Sequence, residues 1–342
     1  MNQSNVPAIR TTVVGSYPVP DWLAALPSQQ ALIDAMRVVF KTQEMAGIDV
    51  VADGELYRFD INHPDTNGMI EYFIRPMKNI RSAVTRGDIA EFSRLEGMGF
   101  RAEPAGVVEG PIDEGTLNLP RDFRRARALT NHPMKFTLTG PHMLCKTLMD
   151  HHYRDRRELA MALGGALAKQ VGELNPQVLQ IDEANIPGHP DEGAWAADAI
   201  NLILDAAGRN SPVEKAVHLC FGNYGGQSIQ KGEWRKLIDF MNRLHCDHVV
   251  LEFAFRGYAE LVHFKELRPE IAIGLGVIDV KVNTVETPEQ VAGRIAEASR
   301  IVGPERIRWV HPDCGFWMNK RSIADRKMEA LVKGRDLFLG RR

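Results

Sequence analysis

The hydrophobic pattern of the chain is a repeat of two textures. Eight short apolar segments, rich in β-branched residues, fall at 11–17, 48–55, 135–140, 178–183, 215–223, 248–254, 271–279 and 307–315. Several run apolar without polar alternation, as strands covered on both faces do. Between them lie stretches with apolar residues at helical spacing: 27–46, 156–174, 192–208, 232–244, 256–267 and 287–301, with 324–334 as a closing helix. A strand followed by a helix, repeated around the chain, predicts an α/β fold of the (β/α)8 TIM-barrel type. A doubly wound sheet is the structural rival. It does not need eight strands, and the glycine fingerprint it offers to phosphates is not found here.

One interval breaks the rhythm. Residues 56–130 are charged and rich in glycine and proline, with short strand-like runs at 77–84 and 103–109. They are too long for a simple crossover. The reading is one catalytic barrel domain over 1–342, with 56–130 as an insertion after the second strand that helps to cover the site.

Composition narrows the picture by exclusion. With 42 basic and 44 acidic side chains the formal net charge is -2. That balance gives no reason to expect nucleic acid or an anionic membrane as partner. No apolar run approaches the length of a membrane span, and the start lacks the layout of a secretory signal, so a cytoplasmic protein is expected. Four cysteines, Cys145, Cys220, Cys246 and Cys314, are too few for a disulfide scaffold at this length.

The polar residues at the strand ends carry the candidate chemistry. Ser16, Asp53, Glu55, Asp182, Glu183, His218, Cys220, Glu252, Asp279 and Cys314 all sit at or just beyond the ends of predicted strands. In a barrel those ends converge on one pocket. His218 and Cys220 are two apart on a strand and point the same way. With Cys314 in HPDCGF and a carboxylate, for which Glu252 is the preferred candidate, they offer two thiolates, an imidazole and an acid. Such a set favours zinc in a tetrahedral site over magnesium or calcium. The rival reading of a lone His-x-Cys is a core histidine beside a buried cysteine. Cys145 and Cys246 read as small hydrophobes, and His248 lies on the wrong side of the barrel.

At this point the sequence resembles a known family, the catalytic domain of cobalamin-independent methionine synthase and its single-domain homologues. The resemblance runs through VVGSYP at 13–18, DGE at 53–55, TLTGP at 137–141, LQIDE at 179–183, HLCFGN at 218–223, LEFAFR at 251–256 and HPDCGF at 311–316. It implies a zinc ion held by His218, Cys220, Glu252 and Cys314. It also implies a substrate pocket made by Ser16, Glu55 and Asp182, with homocysteine as the thiol and methionine as the product. Arg58 is the rival partner of Glu55, through a salt bridge.

The family's tryptophan after the third strand is replaced here by CKTL, with Lys146 in its place, and its acid histidine after the seventh strand by VIDVKV. Asp279 and Lys281 are therefore read as a charged pair on the donor side, and His142, following TGP, as an acid or donor contact. Asp313 is read as orienting His218, and Tyr224, Phe316 and Trp317 as apolar walls. These departures leave the methyl donor between methylcobalamin or a methylated corrinoid protein and methyltetrahydrofolate. The runner-up activity is a zinc-dependent thiol alkyltransferase of the epoxyalkane:coenzyme M transferase type.

Overall fold

The computed structural model describes residues 9–95, 101–223 and 227–341. Strand β1 (Arg10–Thr11) leads through the short helix α1 (Asp21–Ala25) into α2 (Gln29–Ala46). Ser28 caps α2 by accepting from the Ala31 amide, and Gly47 ends it in the left-handed region at φ 84°. Leu32, Ala35, Met36, Val39 and Phe40 form its buried face.

The chain then touches the sheet at single parallel bridges, Thr12 to Val50 and Val51 to Met134. It leaves through α3 (Glu71–Ile74), β2 (Lys78–Arg81), α4 (Arg86–Phe92), β3 (Gly106–Asp113) and α5 (Leu119–Arg127). It returns to the sheet at β4 (Lys135–Thr139), followed by α6 (Pro141–Lys146) and β5 (Leu148–Asp150). Strands β2, β3 and β5 form a small separate sheet. Its third strand therefore comes from beyond residue 130.

The remaining course alternates strand and helix. It runs α7 (Arg156–Val171), β6 (Val178–Asp182), α8 (Gly193–Ala206), β7 (Glu214–Leu219), α9 (Ile238–Arg243), β8 (His248–Leu251), β9 (Ala272–Ile278), α10 (Pro288–Val302), β10 (Ile307–Pro312) and α11 (Arg321–Phe338). The parallel sheet has the order β1-β10-β9-β8-β7-β6-β4, and the bridges at Val50 and Val51 join its two edges. The fold is a TIM-type barrel whose second stave is reduced to those two residues.

Two expected helices differ. The stretch at 256–267 winds as a 3-10 helix, Ala259–Glu266, after Gly257 at φ 83°; no side chain caps its first turn and Pro269 lies just beyond it. The stretch at 232–244 begins as a 3-10 turn, Trp234–Leu237, before α9. Among the described residues no helix is long and apolar enough to cross a membrane.

The barrel interior is unusual in its polarity. Val14, Val50, Val178, Ala216, Val250 and Trp309 make one small apolar cluster. Below it Glu214 accepts from Arg10 at 2.7 Å and from the Trp309 indole at 2.8 Å. Alongside runs a chain of polar groups: Lys135 Nζ donates to the Val13 carbonyl at 2.8 Å and to Gln180 Oε1 at 2.6 Å. Gln180 Nε2 in turn donates to the Val14 carbonyl and to Asp182 Oδ1, both at 2.8 Å.

Lys135 has no exposed surface, and burial pulls its amine down to about 7 against an ordinary value of 10.5. Between pH 7 and 10.5 the unfolded chain therefore binds the proton that the folded amine has lost, and stability rises with pH across that window. Lys135→Met removes this term. Denaturant unfolding at pH 7 and pH 9.5 is expected to show the wild type gaining stability relative to the variant at the higher pH. An equal difference at both would mean that the amine does not titrate as its burial requires.

Candidate metal and amino-acid site

Strand register brings the candidate residues together. Asp182 pairs with His218 across β6 and β7, and Leu219 with Leu251 across β7 and β8. One step beyond these pairs come Cys220 and Glu252. Cys314 arrives from the turn after β10. Its neighbour Gly315 leaves room for Ser16, whose Oγ occupies the space a Cβ at 315 would take. The Phe316 amide donates to the Ser16 carbonyl at 2.8 Å, tying the end of the first stave to the cysteine turn.

His218, Cys220 and Cys314 form a triad whose potential ligand atoms all lie within 4.8 Å of one another. The two sulfurs are 3.9 Å apart. The His218 Nδ1 stands 3.2 Å from Asp182 Oδ1, while Nε2 is buried with no hydrogen-bond partner among the described residues. A carboxylate on one imidazole nitrogen and an unpartnered second nitrogen, on a ring grouped with two cysteine sulfurs, is the arrangement of a metal-binding histidine. The donors are soft and few, which suits zinc. Burial alone would lower the His218 imidazolium, but the Cys220 thiolate and Asp182 outweigh it and raise it to about 10. Cys220 is held well below the ordinary thiol range, chiefly by the hydrogen bond from Cys314, and Cys314 is raised by the same bond. The pair thus shares one proton that a bound cation would displace.

Glu252 stands apart from this triad. Its Oε2 accepts from the Phe221 amide at 3.0 Å, and its Oε1 is ion-paired with Lys281 Nζ. Lys281 therefore pairs with Glu252. Asp279 Oδ1 instead accepts the Lys281 backbone amide at 2.8 Å. The Asp279–Lys281 side-chain pair expected from the sequence is replaced by a turn that aims the lysine at the metal side.

The second half of the site is carboxylate-rich. Gly54 and Glu55 both take positive φ, 75° and 61°, and this bend turns the Glu55 side chain inward. Gly15 has no Cβ where the Glu55 carboxylate lies. Glu55 accepts from Thr137 Oγ1 at 3.0 Å and from Arg58 at 3.1 Å. Arg58 is 2 % exposed and lies 3.9 Å from Asp182. It also donates to Thr137 Oγ1 at 2.8 Å and to the Tyr57 hydroxyl at 2.9 Å. Glu55 and Asp182 thus face one guanidinium, Arg58, and Asp182 also faces the His218 imidazole. Desolvation raises the Glu55 carboxyl, against the pull of Arg58.

Other expectations land elsewhere. His142 is fully buried in α6, its Nε2 2.6 Å from Glu192, which also accepts from Lys146 at 2.9 Å, and its ring is 5.0 Å from that of Trp195. None of these contacts reaches the triad. Glu183 accepts from the His142 and Met143 amides at 2.9 and 3.0 Å and so caps α6. Asp313 accepts the amides of Phe253, Ala254 and Phe255 at 2.7–2.9 Å. It fixes the turn after Glu252; the partner of His218 is Asp182. Burial, with the Glu252 charge behind it, raises Asp313 to about 7. Phe316 is a core residue and Trp317 is 42 % exposed. Tyr224 lies outside the described residues. Sequence reasoning passed over Gln180 and Lys135, whose signal was a polar residue inside an apolar strand at the parity of Asp182 and of Thr137.

The fold and the triad define a (β/α)8 barrel with a thiolate–imidazole centre beside an acidic pocket. The family model described as the catalytic domain of cobalamin-independent synthase matches residues 9–334, and the chain belongs to that family. It is an enzyme of the methyltransferase class. Methionine synthase from Sulfurisphaera tokodaii is 29% identical over 96% of this chain and 92% of its own length. Methionine synthase from Saccharolobus islandicus is 27% identical over 97% of this chain and 95% of its own length. Among solved structures, a B12-independent methionine synthase from Shewanella sp. W3-18-1, in complex with selenomethionine, superposes with a TM-score of 0.79 at 24% identity, covering 96% of this chain and 97% of the other. A putative vitamin-B12 independent methionine synthase from Listeria monocytogenes gives 0.72 at 19% identity, covering 97% and 98%.

Asp182→Asn keeps the volume but removes the charge behind His218. Zinc affinity, measured by competition with a chromophoric chelator, is expected to fall by roughly 10–100-fold, the usual cost of losing such an outer partner. Unchanged affinity would refute the orienting role of Asp182.

Proposed function

We propose that this chain is a zinc-dependent methyltransferase that moves a methyl group to the thiol of homocysteine, forming methionine. The observation that carries the reading is the adjacency of two unlike half-sites. A soft triad of His218, Cys220 and Cys314 stands beside Glu55 and Asp182, and Asp182 touches His218. A substrate with a thiol at one end and an ammonium at the other can address both at once.

Each residue then has a role. His218, Cys220 and Cys314 would hold the zinc, with Glu252 as the fourth donor once it turns from Lys281. When bound, the ion lowers the pKa of a coordinated thiol and keeps the sulfur as a nucleophilic thiolate at neutral pH. Glu55 and Asp182 bind the ammonium: once a metal holds His218 as a neutral imidazole, two carboxylates face the one guanidinium of Arg58 and leave a place for a second cation. The Ser16 hydroxyl receives the substrate carboxylate. Asp313 holds the turn that carries Glu252. The thiolate attacks the methyl carbon of the donor, the new S–C bond forms as the donor's bond to that carbon breaks, and the donor leaves with the electron pair.

The same pocket argues against coenzyme M. Its sulfonate would meet Glu55 and Asp182, and an anion placed against two carboxylates loses several kcal/mol (order of magnitude). The donor is a separable question. The family's cobalamin-independent description supports methyltetrahydrofolate and gives no support to a corrinoid protein. An assay decides it: purified, zinc-loaded protein with homocysteine is offered methyltetrahydrofolate as mono- and polyglutamate, methylcobalamin and simple epoxides, and methionine is measured. Methionine from none of the methyl donors would sink the proposal. Glu55→Gln is expected to raise the KM for homocysteine at least tenfold with a smaller change in kcat, because it weakens binding at the end remote from the reacting sulfur. Cys220→Ser should lose both zinc and activity, and zinc retained at full stoichiometry would exclude Cys220 as a ligand.

A further inference from the structure

The Glu252 carboxylate has two claimants. Its Oε2 is anchored on the Phe221 amide at 3.0 Å, directly after the ligand Cys220. Its Oε1 is taken by Lys281 Nζ. The lysine is locked for that contact. Its side chain is 2 % exposed and that of Glu252 1 %. Its ammonium also donates to Ser228 Oγ at 3.1 Å and lies 4.4 Å from the Phe255 ring centroid, over the face. The backbone of Lys281 is fixed in turn by Asp279. A buried ion pair beside a metal triad is costly to assemble unless the partners are used.

Resting on the zinc reading above, we propose that Lys281 is a positioning residue that competes with the metal for Glu252. The carboxylate has one anchored oxygen and one that turns between two positions, on the metal or on the ammonium. Lys281 receives the carboxylate when it leaves the metal. The coordination position it vacates then opens for the incoming thiol without a buried, unpaired anion being left behind. Without the lysine, a displaced Glu252, its side chain 1 % exposed, would be left charged with no cationic partner, and the metal would keep it.

The inference predicts opposite effects on metal and thiol. Lys281→Met should bind zinc about tenfold more tightly than wild type in chelator competition, and zinc-loaded protein should bind homocysteine about tenfold more weakly by calorimetry. Zinc-edge absorption of the wild type should show an oxygen donor replaced by a sulfur on adding homocysteine, and the variant should keep the oxygen donor at the same thiol concentration. In a Glu252→Gln background the Lys281 substitution should change zinc affinity less than twofold, because the contested group is gone. Lys281→Arg, which keeps the charge, should restore near wild-type values and guards against misfolding as the cause. Unchanged or weakened zinc binding in Lys281→Met, with intact zinc binding in wild type, overturns this inference alone. A wild-type protein that binds no zinc overturns the zinc reading and this inference together.

Discussion

The site depends on how one buried carboxylate is shared. Asp182 accepts from Gln180, faces the His218 imidazole, and lies within ion-pair distance of Arg58. It is 3 % exposed, so each of those partners replaces water that it has lost. Remove Gln180 and the carboxylate rotates; remove Arg58 and it stands charge to charge against Glu55. Leave His218 without it and the imidazole can turn its other nitrogen to the metal. The acidic pocket and the soft triad are thus one structure with Asp182 as the common wall. The spacing between the acidic pocket and the cysteine–histidine triad is set by a side chain that belongs to both.

That sharing explains the polar barrel. A core of branched aliphatics would pack the staves but could not orient a carboxylate near the top. Here Lys135 and Gln180 tie the carbonyls of Val13 and Val14 to Asp182 in one hydrogen-bonded line. The cost is the desolvation of Lys135, which its lowered pKa reports. The return is rigidity. Lys135, Gln180 and the Oδ1 of Asp182 are each bonded within the line, so a rotamer change at Asp182 would break the bond from Gln180 two residues away. Stability at the bottom of the barrel comes from a different device, Glu214 clamped by Arg10 and Trp309.

The barrel and the triad were legible because both follow from periodicity. Strand parity puts His218 and Cys220 on one side, and the barrel rule puts Cys314 near them. Stave two was read as a full strand at 48–55, but the backbone bends at Gly54 and Glu55 to place a carboxylate. Conformational strain of that kind leaves no hydrophobic signature. The orienting of His218 was given to Asp313 because sequence spacing cannot say which acid a neighbouring strand will present to that histidine; only the register of β6 against β7 shows it to be Asp182. Lys281 was seen as charged and near the mouth, but its partner lies 29 residues away in sequence on another stave. His142 looked like a mouth residue because it follows a strand end. The cap that Glu183 places on α6 turns it inward instead.

Charge accounting ties these parts together. Three buried carboxyls, Asp182, Glu252 and Asp313, and the largely buried Glu55 crowd the mouth, and Arg58 and Lys281 are ion-paired among them. Arg58 pairs within the acidic half and Lys281 beside the triad. Asp313, which gets three amide donors and no cation, is the acid whose pKa rises to about 7. Bound as proposed, a divalent ion on two thiolates and an imidazole would carry no net charge of its own and would add little attraction for Glu252. Under that proposal the lysine and the metal centre would be close competitors, and a carboxylate between close competitors can change sides when a third sulfur arrives. Had the triad been three histidines, the centre would keep its full double charge and hold Glu252 against any lysine. On the proposed zinc reading, two cysteines in place of histidines are what would make the fourth position exchangeable.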